Sequence, residues 1–326
     1  LYFASKIRKM DSSSDPNLQD LLAKLQQKYA VMGQDMSSYL DGLLHADYLT
    51  YWDYIHLDTL LSLQNPKTRF PDERVFIIYH QITELYFNLI LWEIEQIVSH
   101  QSLNKSFLVA RLDRINRYFK HLSDSFDIMT EGMEREQFLK FRMSLLPASG
   151  FQSAQYRMIE IASTDLINLV DINYRSSMSR SSVQEQVEKL YWRSGATELA
   201  SGKKTLTLQQ FEEKYISQFL DMGERYRSKN LLRLYLQHFT GDTDVIARLR
   251  EFDALANVYW PLAHMRSAGR YLHRDPEDIK ATGGTNWQKY LPPRFQKIIF
   301  FPELWSEQEK SEWGKAGVER ALQTGH

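Results

Sequence analysis

The stretch FIIYHQITELYFNLILWEIEQIVSH, residues 76–100, most constrains what this chain can fold into. Its apolar positions wrap nearly all round a helical wheel, so it predicts a long, buried helix from about 72 to 100. Asp72 and Glu73 suit the first turn, where carboxylates meet the positive end of the helix dipole. NPKTRFPDE, residues 65–73, reads as the loop before it, broken by two prolines. A helix of this kind needs other elements to cover it, and the rest of the chain offers helices.

SSSDPNLQDLLAKLQQKY places Asp15 as an N-cap and Pro16 at the first helical position, with Leu18, Leu21, Leu22 and Leu25 at helical spacing. LTYWDYIHLDTLLSLQ, 49–64, continues in helical style, with Asp53 or Asp58 able to start a helix. A further helix covers about 104–130. LPASGFQSAQY, 146–156, is a turn leading into RMIEIASTDLINLVD. TLTLQQFEEKY predicts a capping box from Thr207 and Gln210. The last long helix runs from about 243 to 274, and Pro261 inside it should bend it or break one turn. No segment alternates in the manner of strands and hairpins, and no fixed-period repeat is found. The fold class is therefore all-α. Residues 11–326 read as one domain with a more polar helical excursion at about 175–242. The first ten residues, LYFASKIRKM, read as a tag remnant and not as a signal peptide.

Composition removes several function classes. A hydrophobic content of 43% over 326 residues supports a large core. With 40 basic and 41 acidic residues there is no electrostatic footprint for nucleic acid. No apolar run reaches the roughly 20 residues that span a bilayer. The chain has no cysteine, which excludes disulfides, zinc–thiolate sites, iron–sulfur clusters and thiolate-ligated haem, and is compatible with a reducing cytoplasm.

Two histidines stand out. His80 shares a helix face with Phe76, Thr83, Glu84 and Phe87. It reads either as a core histidine bonded to Glu84 or a carbonyl, or as a neutral imidazole against an aromatic ligand. His264 has Trp260, Ser267 and Ala268 as helical neighbours, small enough on one side to admit a flat cofactor. A neutral imidazole there suits iron; the plain alternative is again a satisfied core residue. Arg142, in FLKFRMSLLPASGF, is either a solvated arginine or a bidentate clamp for a carboxylate. ATGGTN, 281–286, is either a connection or a loop whose glycines let backbone approach a ligand, with Thr282 offering a hydroxyl. It lacks the dinucleotide pattern. Ser149 lacks the G-x-S-x-G frame of a hydrolase.

Taken in order, LTYWDYIHLDTLLSLQ, DERVFIIYHQITELYF, FRMSLLPASGFQSAQYRMIE, HMR at 264–266, TGG at 282–284 and FFPEL at 300–304 resemble the tryptophan 2,3-dioxygenase family. The match runs from about residue 49 to 305 and is looser in the first 40 residues and at 175–242. The resemblance implies a large helical-bundle domain that binds haem b. His264 would be the axial iron ligand. His80 would lie near the indole N–H of tryptophan and help order the pocket. Arg142 would grip the substrate carboxylate and Thr282 its ammonium and carboxylate, with Phe76, Phe138 and Ser149 lining the pocket. Tyr51, Tyr54 and Ile55 match a segment that reaches a neighbouring subunit, within a homotetramer.

The implied activity is O2-dependent cleavage of the indole C2–C3 bond of L-tryptophan, giving N-formylkynurenine in the cytoplasm and requiring ferrous iron. The nearest alternative is a haem monooxygenase of the same superfamily, acting on tryptophan, a modified tryptophan or another aromatic amino acid. More distant ones are a haem-binding protein without turnover and a helical interaction protein. The chain departs from the family pattern in several places. Pro71 stands where a histidine is usual and Phe138 where tyrosine is common. The loop reads Ala281-Thr282-Gly283-Gly284-Thr285-Asn286-Trp287, and its connection from His264 is longer.

Overall fold

The computed structural model describes residues 16–46, 49–145, 152–196, 203–272 and 293–315. Ser149, Thr282 and the rest of ATGGTN lie outside the described residues, as do the first ten positions. The chain divides into two compact units, Leu1–Leu63 and Gln64–His326.

In the first unit, α1 (Pro16–Val31) begins with Pro16 at its first position, where a missing N–H costs nothing. α2 (Met36–Leu44) is capped by the Asp35 carboxylate, which accepts from the amides of Ser37 and Ser38. The stretch 49–64 forms two short helices, α3 (Tyr51–Tyr54) and α4 (Leu57–Leu61). They are separated because His56 adopts φ +51, a left-handed conformation that ends one helix before the next begins. Thr50 and His56 hold the cap positions, and Asp53 and Asp58 serve the first turns of α3 and α4.

The second unit is built round α5 (Asp72–Ser99). Glu73, almost fully buried, accepts from the amides of Lys67 and Thr68 and from the Thr68 hydroxyl, which fixes the preceding loop onto the first turn. Tyr79, Thr83, Phe87, Ile90, Ile94 and Ile97 are buried at steps of three or four. The opposite stripe behaves differently from the sequence expectation. Ile78, Ile82, Leu85, Leu89 and Trp92 are exposed, Leu85 at 55% and Trp92 at 61%. The helix is apolar all round, but among the described residues only one side of it is buried.

Those neighbours follow in order. α6 (Lys105–Ser125) is capped by Asn104 and buries Leu108, Leu112, Ile115, Phe119 and Leu122. α7 (Asp127–Thr130) and α8 (Arg135–Phe141) lead into a tight turn, Arg142–Leu145. α9 (Ala154–Ser163) is capped by Ser153, and every residue in it but Gln155 is buried. After α10 (Leu166–Leu169), α11 (Val183–Val187) and α12 (Tyr191–Gly195), α13 (Leu206–Tyr226) packs on α9 and α11, so the polar stretch 175–242 is fastened to the second unit's core. Gly223 allows that close approach, since a Cβ there would meet Val183 Cγ1 at 2.7 Å. α13 is capped by Thr205, two residues before the expected Thr207–Gln210 box; Thr207 lies inside the helix and buried. α14 (Leu231–His238) precedes α15 (Thr243–Ala254), which lies along α6. A wide π turn, Leu255–Tyr259, joins it to α16 (Trp260–Leu272). Among the described residues the only β pairing is an isolated bridge between Val170 and Leu190, so the all-α expectation holds. No described helix is long and apolar enough to cross a membrane.

Candidate active site

A single chain of ring contacts runs between α8 and α16 by way of α5. Phe138 lies 6.4 Å from Phe76, and Phe76 lies 4.0 Å from the His80 ring. His80 meets Tyr79 edge-on, Tyr79 meets Phe126, and Phe126 lies 4.6 Å from His264. Trp260 closes the sequence edge-on to His264 at 4.7 Å and to Phe87 at 5.8 Å. Helical spacing explains the local pairs, because 76 with 80 and 260 with 264 are one turn apart. The packing of α5, α7, α8 and α16 supplies the rest.

Both imidazoles are held neutral. His80 Nδ1 lies 2.7 Å from the Phe76 carbonyl, which can only accept, so Nδ1 carries the proton and Nε2 keeps a free lone pair. Burial pushes the His80 value down, against the Phe76 carbonyl and the charge of Glu84. Burial likewise pushes His264 down to about 4, helped by repulsion from His80 and opposed by a hydrogen bond to the Trp260 carbonyl. No sequence signal pointed to that carbonyl as the group orienting His264. His80 is nevertheless accessible to solvent, and His264 partly so. The two histidines are near enough for a charge on His80 to disfavour one on His264.

Arg142 is buried, at 7% exposure, and directly follows the α8 turn that carries Phe138 and Phe141. Phe141 lies 5.9 Å from Phe76. Arg142 thus leaves the chain at the edge of the same aromatic wall. Tyr51 and Tyr54 belong to the first unit and are exposed at 72% and 74%, while Ile55 is half-buried. Ser149 and Thr282 stand outside the described residues.

Among the described residues no group of three or more His, Asp or Glu side chains could hold a bare metal ion. The donors present are instead two imidazoles, His80 and His264, each with one nitrogen left available in aromatic surroundings. That fits iron already held by a porphyrin, which needs a single protein ligand and a flat apolar slot.

A family model described as tryptophan 2,3-dioxygenase matches residues 42–191. The tryptophan 2,3-dioxygenase of Ruegeria sp. (strain TM1040) is 28% identical over 282 residues, covering 80% of this chain and 92% of that protein. That of Bacillus thuringiensis subsp. konkukian (strain 97-27) is also 28% identical, over 82% of this chain and 95% of its own length. The Bradyrhizobium diazoefficiens enzyme of that name is 25% identical over 79% and 91%. The chain is similar to the tryptophan 2,3-dioxygenase family. The family model ends at residue 191, but these relatives extend over most of the chain. The similarity therefore does not rest on the α5 motif alone.

Two features were missed from sequence. Tyr156, within SAQYR, donates to the Ala256 carbonyl at 2.8 Å. Asp253, fully buried, accepts from the amides of Phe300 and Phe301, the Trp305 indole N–H and the Asn257 amide. These hold the π turn and the FFPEL segment. Only Pro261 had hinted at irregularity there.

Proposed function

We propose that this chain is a haem-dependent tryptophan 2,3-dioxygenase. It is an oxidoreductase that cleaves the indole C2–C3 bond of L-tryptophan with O2, and both oxygen atoms enter N-formylkynurenine. The observation that carries the reading is the pair of neutral histidines, His80 and His264, joined through Tyr79 and Phe126 in one run of aromatic contacts.

His264 would hold haem b. Its ring N–H donates to the Trp260 carbonyl, which fixes the imidazole plane and makes the remaining nitrogen more basic. Haem b, bound with ferrous iron, supplies the binding and activation of O2. The chain's own residues position and desolvate the amino acid. His80 Nε2, kept as an acceptor by the Nδ1 bond to Phe76, is suited to receive the indole N–H. Phe76 and Phe138 would flank the ring. Arg142 would take the carboxylate in a bidentate pair, Thr282 would hold the ammonium and carboxylate end, and Ser149 would complete the pocket. His80 orders the substrate and need not remove a proton.

The same reading carries a homotetramer, with Tyr51, Tyr54 and Ile55 reaching a neighbouring subunit's pocket, and a cytoplasmic location. The exposed stripe Ile78, Ile82, Leu85, Leu89 and Trp92 supports the assembly, because its spacing is that of a helix seam. Residues 64–326 would form the haem domain, with the polar stretch 175–242 part of it.

The test is direct. The haem-loaded, reduced protein is given L-tryptophan and then labelled O2, and the product is weighed. Ring opening with two labelled oxygens is expected; one labelled oxygen would move the chain to monooxygenation. In parallel, His264→Ala should lose stable haem. A variant that kept its haem and turnover would remove His264 from the iron.

A further inference from the structure

On the buried face of α15 the residues run Val245, Leu249, Phe252, Ala256, in steps of four, three and four. In a regular helix Tyr259 and Trp260 would flank that face on either side, and His264 would lie about a quarter turn from it. The structure instead buries Trp260 and sets it and Phe126 against His264. Trp260 is buried at 5%, whereas Tyr259 is 38% exposed. The extra residue is taken up in the π turn, where the Trp260 N–H reaches the Leu255 carbonyl, five residues back. One residue corresponds to about 100° of rotation. Without the turn, His264 would lie about that far round the helix from its place against Phe126.

The turn leaves one carbonyl in need. In a regular helix the Trp260 N–H would bond the Ala256 carbonyl. Having moved to Leu255, it no longer does. The next donor in π geometry would be residue 261, which is proline and has no N–H. A buried orphan carbonyl would favour a return to the regular helix. The Tyr156 hydroxyl supplies the missing donor at 2.8 Å. It comes from α9, where all residues but Gln155 are buried, so this helix is held in the core and does not follow a moving α16.

We propose that Tyr156 is a positioning residue for the haem ligand: by occupying the Ala256 carbonyl it holds the π turn, and the π turn sets His264 against Phe126. This rests on the haem reading above. Tyr156 touches neither substrate nor His264. Its effect passes through the helix register, and Pro261 is its necessary counterpart, since any other residue there would offer its own N–H.

The experiment uses the haem-loaded ferrous protein and reads the iron–histidine stretching band by resonance Raman. The unmodified protein should show one band. If it shows none, the haem assignment falls, and this inference with it, before any variant is made. In Tyr156→Phe the band should shift or split as His264 populates a second register. Haem should also dissociate roughly tenfold faster, as expected for one lost hydrogen bond, while tryptophan binding through Arg142 is unchanged. An unmoved band with unchanged haem release, accompanied only by a lower melting temperature, would overturn the proposal and leave Tyr156 a packing residue. Should Tyr156→Phe not fold, 3-fluorotyrosine at position 156 keeps the shape and alters only the strength of donation. A moved band then supports the proposal, and an unmoved one overturns it.

Discussion

At Asp253 four donors converge on one buried carboxylate, yet burial still pushes its carboxyl up to about 6 from 3.8. A raised folded value means that the folded chain keeps the proton longer than the unfolded one as pH rises. This contribution to stability is complete below about 3.8 and is lost as pH climbs through about 6. Asp253→Asn keeps the shape but cannot titrate, and its amide turns a donor toward other donors. It should cost about 3 kcal/mol near neutral pH. The gap from the parent should be wider still near pH 4 and level off above about pH 7. Denaturant unfolding across that range checks the sign; a gap that widened with rising pH would refute it. Arg142 makes a second prediction at this scale. Truncation to Ala should raise the KM for tryptophan by roughly 100-fold, since a buried carboxylate would lose a paired cation. Unchanged substrate affinity would take Arg142 out of the site.

At the scale of the element, α5 has two apolar faces with different fates. Phe87 is fully buried against Phe119, Tyr156 and Trp260. Phe87→Ala should therefore destabilise the fold by about 3–5 kcal/mol, read by urea unfolding. Long helices with a clear three-and-four period, such as α5, α6 and α13, were legible in the sequence because burial on one face needs nothing but spacing. Their ends were less so. Thr207 looked like a cap, but Thr205 two positions earlier takes the role, since both offer a hydroxyl and only packing chooses. The break at His56 had no glycine to announce it. The π turn was legible only as Pro261. Its register shift depends on Tyr156, about a hundred positions away in sequence, and no local pattern encodes such a bond. The paired histidines were singled out individually, but what brings them together is the packing of α5 with α7 and α16 through Tyr79 and Phe126.

For the whole molecule, the exposed stripe on α5 sets the expectation. Five large apolar side chains in seam spacing on one helix exceed what an isolated surface usually carries. Leu85→Glu with Leu89→Glu should disperse the assembly, seen as a fall in mass by light scattering, while helical circular dichroism stays native. A protein already monomeric before substitution would refute the tetramer. One further consequence follows from where the two histidines lie along the chain. His80 comes early and His264 late, with more than half the sequence between them. On a ribosome, α5 emerges long before α16 exists. In the proposed reading, a nascent chain carries the wall that would face the indole well before the residue that would hold iron. Haem would then be captured only after α16 has emerged, which makes loading a late event of maturation.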